Sequence, residues 1–357
     1  MLANHDIVVI GASAGGVEAI SRLVAELPRD LRAAVLIVLH LARGRSVFPE
    51  ILTRAGPLPA IHPADGTSLQ YGRIYVAPPD HHMVVEGDAV RIVHGPTENG
   101  MRPAVDPLFR SAARTYGSRV VAIVLTGSLD DGTAGMAAVK EAGGVTVVQD
   151  PNEAFAPSMP RSAMASVAID HVLPVREIPL LITTLTREAV GTAATRRGPH
   201  LLPMEPDLGE VPLALTSTDR PGVVSVFSCP ECHGTLWEAD QGGILRFRCR
   251  IGHVYSPESM VAAQTDSVDR ALWVALRSLE ERVALTRRMS ERARRRQHGW
   301  VSRAFEERAR AAEEHANVVR QLLTNRAAGH IVPDHTDVAE EGPMPDREPE
   351  PATNEQG

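Results

Sequence analysis

The sequence predicts a doubly wound α/β domain with a mostly parallel sheet, followed by a small β unit and an α-helical pair. Three observations carry this. Strand-like and helix-like stretches alternate from residue 1 to about 188, the order that builds a parallel sheet with both faces covered. The strand stretches Ile7–Ile10, Ala33–Leu39 and Arg119–Leu125 are almost continuous apolar runs, as strands buried on both faces require. All three cysteines fall between positions 229 and 249, and a helical repeat begins near Ser267.

The first strand, Ile7-Val-Val-Ile10, runs into Gly11-Ala-Ser-Ala-Gly-Gly16 and then into a helical pattern at Val17, Ile20, Leu23 and Val24. A serine among small residues at a strand-to-helix turn presents its hydroxyl freely, and glycine supplies the backbone freedom the turn needs. The unpaired N–H groups at the start of the helix, that of Ala14 among them, are candidate oxyanion donors. A Gly-x-Gly-x-x-Gly dinucleotide loop is a rival reading. Ser13 stands at its second glycine position, however, and the second strand closes on His40 rather than on an acidic residue. A plain tight turn is the third reading.

The second strand ends at His40, and helix follows over Phe48–Thr53. Tyr71–Ala77 reads as a strand closed by Pro78-Pro-Asp80, and Met83–Val93 as a hairpin turning at Gly87-Asp88. Helix is expected over Asp106–Tyr116, strand over Arg119–Leu125 and helix over Ala134–Ala142. Strand over Gly144–Val148, helix over Arg161–Ser166, strand over Ile169–Leu173 and helix over Ile178–Thr186 complete the domain.

In open parallel sheets, sites form beyond the carboxyl ends of the strands. Three strands end there in reactive residues: Ser13, His40 and the loop Thr126-Gly-Ser-Leu-Asp-Asp-Gly132. A hydroxyl, an imidazole and a carboxylate at one sheet edge are the parts of a Ser-His-Asp nucleophilic system. Taken singly, a histidine at a strand end is also an ordinary structural histidine, and Asp-Asp-Gly an ordinary turn or helix cap. The spacing does not choose between Asp130 and Asp131.

These residues resemble the catalytic domain of the chemotaxis protein-glutamate methylesterases (CheB type), a Rossmann-like domain. The resemblance rests on Gly11–Gly16, His40, Leu125–Gly132, Tyr75-Val-Ala-Pro-Pro-Asp-His-His-Met83, Arg102-Pro-Ala-Val-Asp-Pro-Leu-Phe109 and Ala156-Pro-Ser-Met-Pro-Arg-Ser-Ala163, and it runs from residue 6 to about 188. It implies Ser13 as nucleophile, His40 as general base, Asp131 as orienting carboxylate and the Ser128 N–H as a second oxyanion donor. The implied reaction is hydrolysis of glutamate methyl esters on a receptor-type protein with release of methanol, and deamidation of glutamine is a further implied activity. The family pattern has Met-Gly where this chain has Ser128-Leu129, which puts the shape of that loop in question. The chain opens on the first strand of the domain, so the phosphorylatable receiver domain of familiar members is expected to be absent.

Beyond the domain (1–188), residues 189–222 are rich in Gly, Pro, Thr and Arg and read as a linker. Residues 223–262 carry Cys229-Pro-Glu-Cys232 and, sixteen residues on, Cys249-Arg-Ile-Gly-His253. Paired thiolates in a knuckle plus a Cys-x₃-His complete a tetrahedral Cys₃His set, a closed structural zinc site in a ribbon-like unit. His233 is a rival ligand. Strands are expected over Gly234–Gly243 and Ile244–Arg250. Residues 265–327 read as a helical hairpin with Leu272, Leu276, Leu279 and Val283 facing Val301, Phe305, Ala309, Ala312, Ala316, Val319 and Leu323. The arginines between Arg287 and Arg296 mark a solvated helix end, and the alternative is a site for an acidic partner. Residues 328–357 are acidic and proline-rich and read as a disordered tail.

A net charge of −7 gives no reason to expect nucleic-acid binding. The N-terminus lacks a secretory pattern, and no apolar run reaches membrane-spanning length. Three cysteines, an odd count, argue against a disulfide framework and make a reducing, cytoplasmic setting the default expectation. The expected partner is a methylated receptor or another signalling protein, with no direct membrane insertion. A second reading makes the chain a partner-docking adaptor with a vestigial esterase fold. The extension is expected to act as a docking device: cutting the chain after about residue 190 should leave turnover on a small methyl ester unchanged and lower it on the native protein partner, whereas a faster truncated domain would make the extension an inhibitory lid.

Overall fold

The computed structural model describes residues 4–41, 44–188, 222–241 and 243–329. The expected linker therefore lies almost wholly outside the described residues, as does all but the first two residues of the expected tail. The chain forms two compact units, Met1–Thr265 and Asp266–Gly357.

The first unit opens with β1 (Ile7–Ala12), α1 (Gly16–Ala25), β2 (Ala34–Leu39), α2 (Phe48–Ala55), β3 (Ala60–Ile61), β4 (Thr67–Ser68) and β5 (Arg73–Val76). The hairpin β6 (His82–Glu86) and β7 (Ala89–Val93) leads to α3 (Val105–Tyr116), β8 (Val120–Val124) and α4 (Thr133–Glu141). Then come β9 (Val145–Gln149), α5 (Ser158–Ser166), β10 (His171–Leu173) and α6 (Ile178–Leu185). Seven strands form one parallel sheet in the order β10-β9-β8-β1-β2-β5-β3, and β4, β7 and β6 form a small antiparallel sheet beside it. The doubly wound expectation agrees with this; the two-residue strands β3 and β4 carry too little periodicity to be legible.

The apolar runs form strands because both sheet faces are covered. Val8, Ile10, Val35, Ile37, Val121 and Ile123 pack with Ile20 and Leu23 of α1 and Ile182 of α6. The alternate residues Ile7, Val9, Leu36, Val38, Ala122 and Val124 pack on the other face with Leu108 and Phe109 of α3 and Met136 of α4. The strand order reverses around β1, which pairs in parallel with β2 on one side and β8 on the other. The crevice beyond their carboxyl ends is thus the place where this topology forms a site.

The unit continues into a second, antiparallel sheet of β11 (Val223–Ser228), β12 (Thr235–Gln241), β13 (Ile244–Cys249) and β14 (Val254–Tyr255). Its core is small: Cys229, Leu236, Phe247, Cys249, Tyr255 and Met260. The sequence reads residues 223–262 as a unit of its own after a linker, whereas this sheet belongs to the same compact unit as the parallel sheet. Buried Arg246 pairs with Asp106 at 2.8 Å and with Glu98 at 3.3 Å, contacts across about 140 residues that no local pattern announces.

Helix α7 (Pro257–Arg295) starts before the expected hairpin boundary at 265. Ser256-Pro-Glu-Ser259 is the cause. The Ser256 hydroxyl accepts the Ser259 N–H at 3.0 Å, the Ser259 hydroxyl accepts the Ser256 N–H at 2.9 Å, and proline occupies the first helical position. This is a reciprocal capping box with serine in the usual Glu position.

In the second unit α7 continues and α8 (Gly299–Gly329) returns antiparallel to it, with Arg320 on Glu280, Arg287 on Glu313 and Arg294 on Glu306. Leu276, Ala316 and Leu323 form the buried seam. Arg287 and Arg294 of the arginine-rich stretch are thus engaged within the hairpin.

His82 is fully buried; its Nε2–H donates to Pro96 O at 2.9 Å and its Nδ1 accepts the Ala104 N–H at 3.2 Å. Burial pushes its pKa down to about 4, against the opposing pull of the Pro96 bond and the Asp131 charge. An unfolded imidazole titrates near 6.5, so between these values the unfolded chain binds more protons. Stability is full above pH 6.5 and falls on the order of 3 kcal/mol as the pH drops to 4. His82→Gln, which keeps a donor for Pro96 and does not titrate, should flatten that acid limb in thermal unfolding followed from pH 7 to 4.

Candidate active site

Ser13 is the residue after β1 and is half-buried. Its N–H donates to Thr126 O at 2.9 Å, which binds the end of β1 to the loop after β8. Gly15 turns the chain into α1 with φ +76°, a left-handed conformation that costs a side chain energy. Gly127 has a different reason to be glycine: a Cβ there would lie 2.9 Å from Ser13 Cβ and 2.0 Å from Met159 Sδ. The Thr126 hydroxyl donates to Ala14 O at 2.8 Å and accepts the Ala156 N–H at 2.9 Å, closing the serine turn against two loops.

His40 follows β2, and its N–H donates to Ala12 O at 3.2 Å, one step beyond the β1–β2 ladder. That register brings His40 to the strand edge at which Ser13 stands. Its Nε2 lies 2.8 Å from Asp131 Oδ2, with both side chains nearly excluded from solvent. Nδ1 is then the ring nitrogen free of the carboxylate.

Asp131 is 2% exposed yet fully partnered. Besides His40, Oδ2 accepts the Val105 N–H at 2.7 Å, while Oδ1 accepts Asn99 Nδ2 at 3.0 Å and the Asp106 N–H at 3.2 Å. Burial alone would raise its pKa; the His40 bond and charge, the Val105 N–H and Asn99 outweigh that and hold the carboxyl at about 2. Asn99 and Asp106 carry no sequence signal for this role. Asp106 stands in the Arg102–Phe109 stretch, whose pattern assigns it no part, and Asn99, at φ +53°, precedes that stretch.

Asp130, the other acidic candidate, is engaged elsewhere and accepts the Ser256 hydroxyl at 2.8 Å. Burial raises its pKa to about 7; Glu258 and Asp106 add to this, and the Ser256 bond and Arg246 oppose it. The expected oxyanion donors lie on the two facing loops: among the described residues neither the Ala14 nor the Ser128 N–H has a protein acceptor. Leu129 takes a left-handed backbone with φ +63°, a conformation that favours glycine and costs a residue with a side chain about 1–2 kcal/mol.

Cys229, Cys232, Cys249 and His253 converge with their donor atoms all within 4.8 Å of one another, a group able to hold a metal ion. Cys232 Sγ lies 3.6 Å from Cys249 Sγ, and His253 Nδ1 lies 3.6 Å from Cys229 Sγ and 3.4 Å from Cys249 Sγ. The rival His233 is not in the group. Among the described residues no helix is long and apolar enough to cross a membrane.

Comparison with known proteins points the same way as the crevice. The CheB methylesterase family model matches residues 8–182. A protein-glutamate methylesterase/protein-glutamine glutaminase of Anaeromyxobacter dehalogenans is 38% identical over 186 residues, 52% of this chain and 54% of that protein. A putative protein-glutamate methylesterase/protein-glutamine glutaminase of Leptospira interrogans is 34% identical over 184 residues, 51% of this chain but 95% of that protein. The crystal structure of the Thermotoga maritima CheB methylesterase catalytic domain aligns at 30% identity and TM-score 0.49, over 52% of this chain and all of that one. The chain thus spans about half the length of the first relative.

Asp130 supplies a test of how the two carboxylates differ. Its folded pKa lies above that of an unfolded Asp, so its contribution to stability is present below about pH 4 and is lost as the pH rises through 7. Asp130→Asn, which still accepts from Ser256, should therefore stabilise the protein at pH 8 on the order of 3 kcal/mol and change little at pH 4. Denaturant titrations at the two pH values measure the difference.

Proposed function

Because the chain belongs to the CheB methylesterase family, we propose that it is a protein-glutamate methylesterase acting through Ser13, His40 and Asp131. The observation that carries this is the buried 2.8 Å contact between His40 and Asp131 at the strand edge beside Ser13. Ser13 Oγ attacks the ester carbonyl of a γ-methyl glutamyl side chain, and its proton passes to His40 Nδ1. The Nε2–H stays on Asp131, which holds the ring and stabilises the imidazolium. The Ala14 and Ser128 N–H groups receive the oxyanion, a contribution of about 10²–10³ in rate for a single donor. His40 returns the proton to the departing methoxide, methanol leaves, and water activated by the same imidazole cleaves the acyl-enzyme. With a glutamine substrate the leaving group is ammonia. The substrate class is a methylated receptor or other signalling protein of a chemotaxis-like system, and free thiols suit a cytoplasmic setting.

Methanol release from a γ-methyl-glutamyl peptide tests the reading. Ser13→Ala should abolish it, and Asp131→Asn should lower kcat by about 10³–10⁴, the scale at which loss of the correct tautomer acts in serine hydrolases. No methanol release by the wild type above that of Ser13→Ala and of a blank would leave the adaptor reading in its place.

The Cys₃His cluster is proposed to hold structural zinc. A tetrahedral zinc with sulfur at about 2.3 Å and nitrogen at about 2.0 Å separates its ligands by about 3.5–3.8 Å, close to the 3.4–3.6 Å of three of the ligand pairs, all four donors lying within 4.8 Å of one another. Three thiolates and one imidazole fill the coordination sphere, so the ion would supply closure of the small β unit and no catalysis. Elemental analysis of the purified chain should find one zinc per molecule, lost in Cys249→Ser.

A further inference from the structure

We propose that the C-terminal β unit, with the first turn of α7, is a positioning element for the esterase. It holds Asn99 and Asp106 where they in turn hold Asp131, and its metal cluster is wired into that hold. The proposal rests on the esterase reading above.

Three of the four groups that bond Asp131 come from one segment: Asn99 Nδ2 and the N–H groups of Val105 and Asp106. That segment is anchored on its far side by the extension. The Asn99 N–H donates to Val254 O at 2.7 Å, and the Val254 N–H donates to Thr97 O at 3.3 Å. Asn99 Oδ1 accepts the Ser256 N–H and the Ser259 hydroxyl, each at 3.1 Å. These two donors fix the sense of the amide, so its NH₂ end must face Asp131 and Asp106.

Asp106 is the second link. Its Oδ2 takes Arg246 Nη1 at 2.8 Å, and its Oδ1 takes the N–H groups of Gly132 at 3.1 Å and Gly135 at 2.7 Å. One carboxylate therefore joins the extension to the residue that follows Asp131. The charge balance is tight. Glu98, Asp106, Asp130 and Asp131 are all buried, and the cations facing them are Arg246, Arg110 on Glu98, and His40 when protonated. His82 and Glu258 lie within their field. Removing the Arg246 charge leaves Asp106 and Glu98 short of a partner in a place where that is costly.

The cluster reaches the same segment. His253 turns Nδ1 to the cysteine sulfurs, while its Nε2 lies 3.3 Å from Glu231 Oε2. Glu231 Oε1 accepts the Tyr255 hydroxyl at 2.8 Å and the hydroxyl of Thr97. A carboxylate behind a ligand histidine orients that ligand; here the same carboxylate also grips the esterase segment two residues before Asn99. The cluster residues flank the other grips too, since Arg246 precedes Cys249 on β13 and Val254 and Ser256 follow His253.

The test uses the full chain, a γ-methyl-glutamyl peptide as substrate, and the His40 imidazole titration followed by NMR. Arg246→Met and Ser259→Ala, each folded and retaining its metal, should lower kcat about tenfold with KM within about twofold. The titration of His40 should move with kcat, and Arg246→Lys should restore part of both. Stripping the metal with a chelator should lower kcat and shift His40 similarly, with little further loss when Arg246→Met is stripped. Folded, metal-loaded variants with wild-type kcat and wild-type His40 titration would overturn the proposal while leaving the esterase reading intact. If Arg246→Met fails to fold, Ser259→Ala and Thr97→Val decide by the same two readouts. A wild-type chain that releases no methanol overturns the esterase reading instead, and the His40 titration then decides the positioning claim alone.

Discussion

The chemistry of this chain depends on the parallel register in which β1 lies between β2 and β8. Ala12 pairs with Leu39 and Gly11 with Val124, so the next residues of all three strands emerge at one edge. A slip of one residue would turn every side chain to the opposite face. Register is fixed here by burial on both sides, because Ile10 and Val9 belong to different cores. The serine, the imidazole and the acid loop are consequences of packing that occurs some distance below them.

An acid brought to that edge is buried, and burial works against its charge. Asp131 resolves this by saturation with donors, two of them main-chain N–H groups at the start of α3. Its neighbour Asp130 shows the contrasting case: one hydroxyl partner, adjacent carboxylates, and a pKa pushed up to about 7. Two consecutive aspartates thus occupy one loop with opposite electrostatic characters. What separates them is the number of donors each meets, not their depth.

The parallel sheet was legible because strands buried on both faces are written as unbroken apolar runs, and Ser13, His40 and the Asp loop could be read from the strand ends. The choice between Asp130 and Asp131 was not legible in spacing, because both lie at the same edge and only three-dimensional donors distinguish them. Asn99 and Arg246 were invisible for a related reason: each meets its partners across long stretches of chain, and a buried polar contact leaves no periodicity. The start of α7 was missed although Ser256-Pro-Glu-Ser259 spells a cap, since the stretch over residues 264–270 that follows its first turns carries little apolar periodicity. Leu129 was not legible as a left-handed position, because a leucine carries no turn signal for the φ of +63° that it adopts.

The small β unit has a core of only a few residues, too little to fold on apolar burial alone. Two things compensate: a site for a metal, and a polar interface with the parallel-sheet domain. Both converge on residues 97–106, through Glu231 at one end and Arg246 at the other. The contacts that keep the β unit folded are therefore largely the contacts that keep the acid loop in place. A unit built in this way cannot loosen without loosening Asn99, and Asn99 cannot move without changing what Asp131 offers to His40.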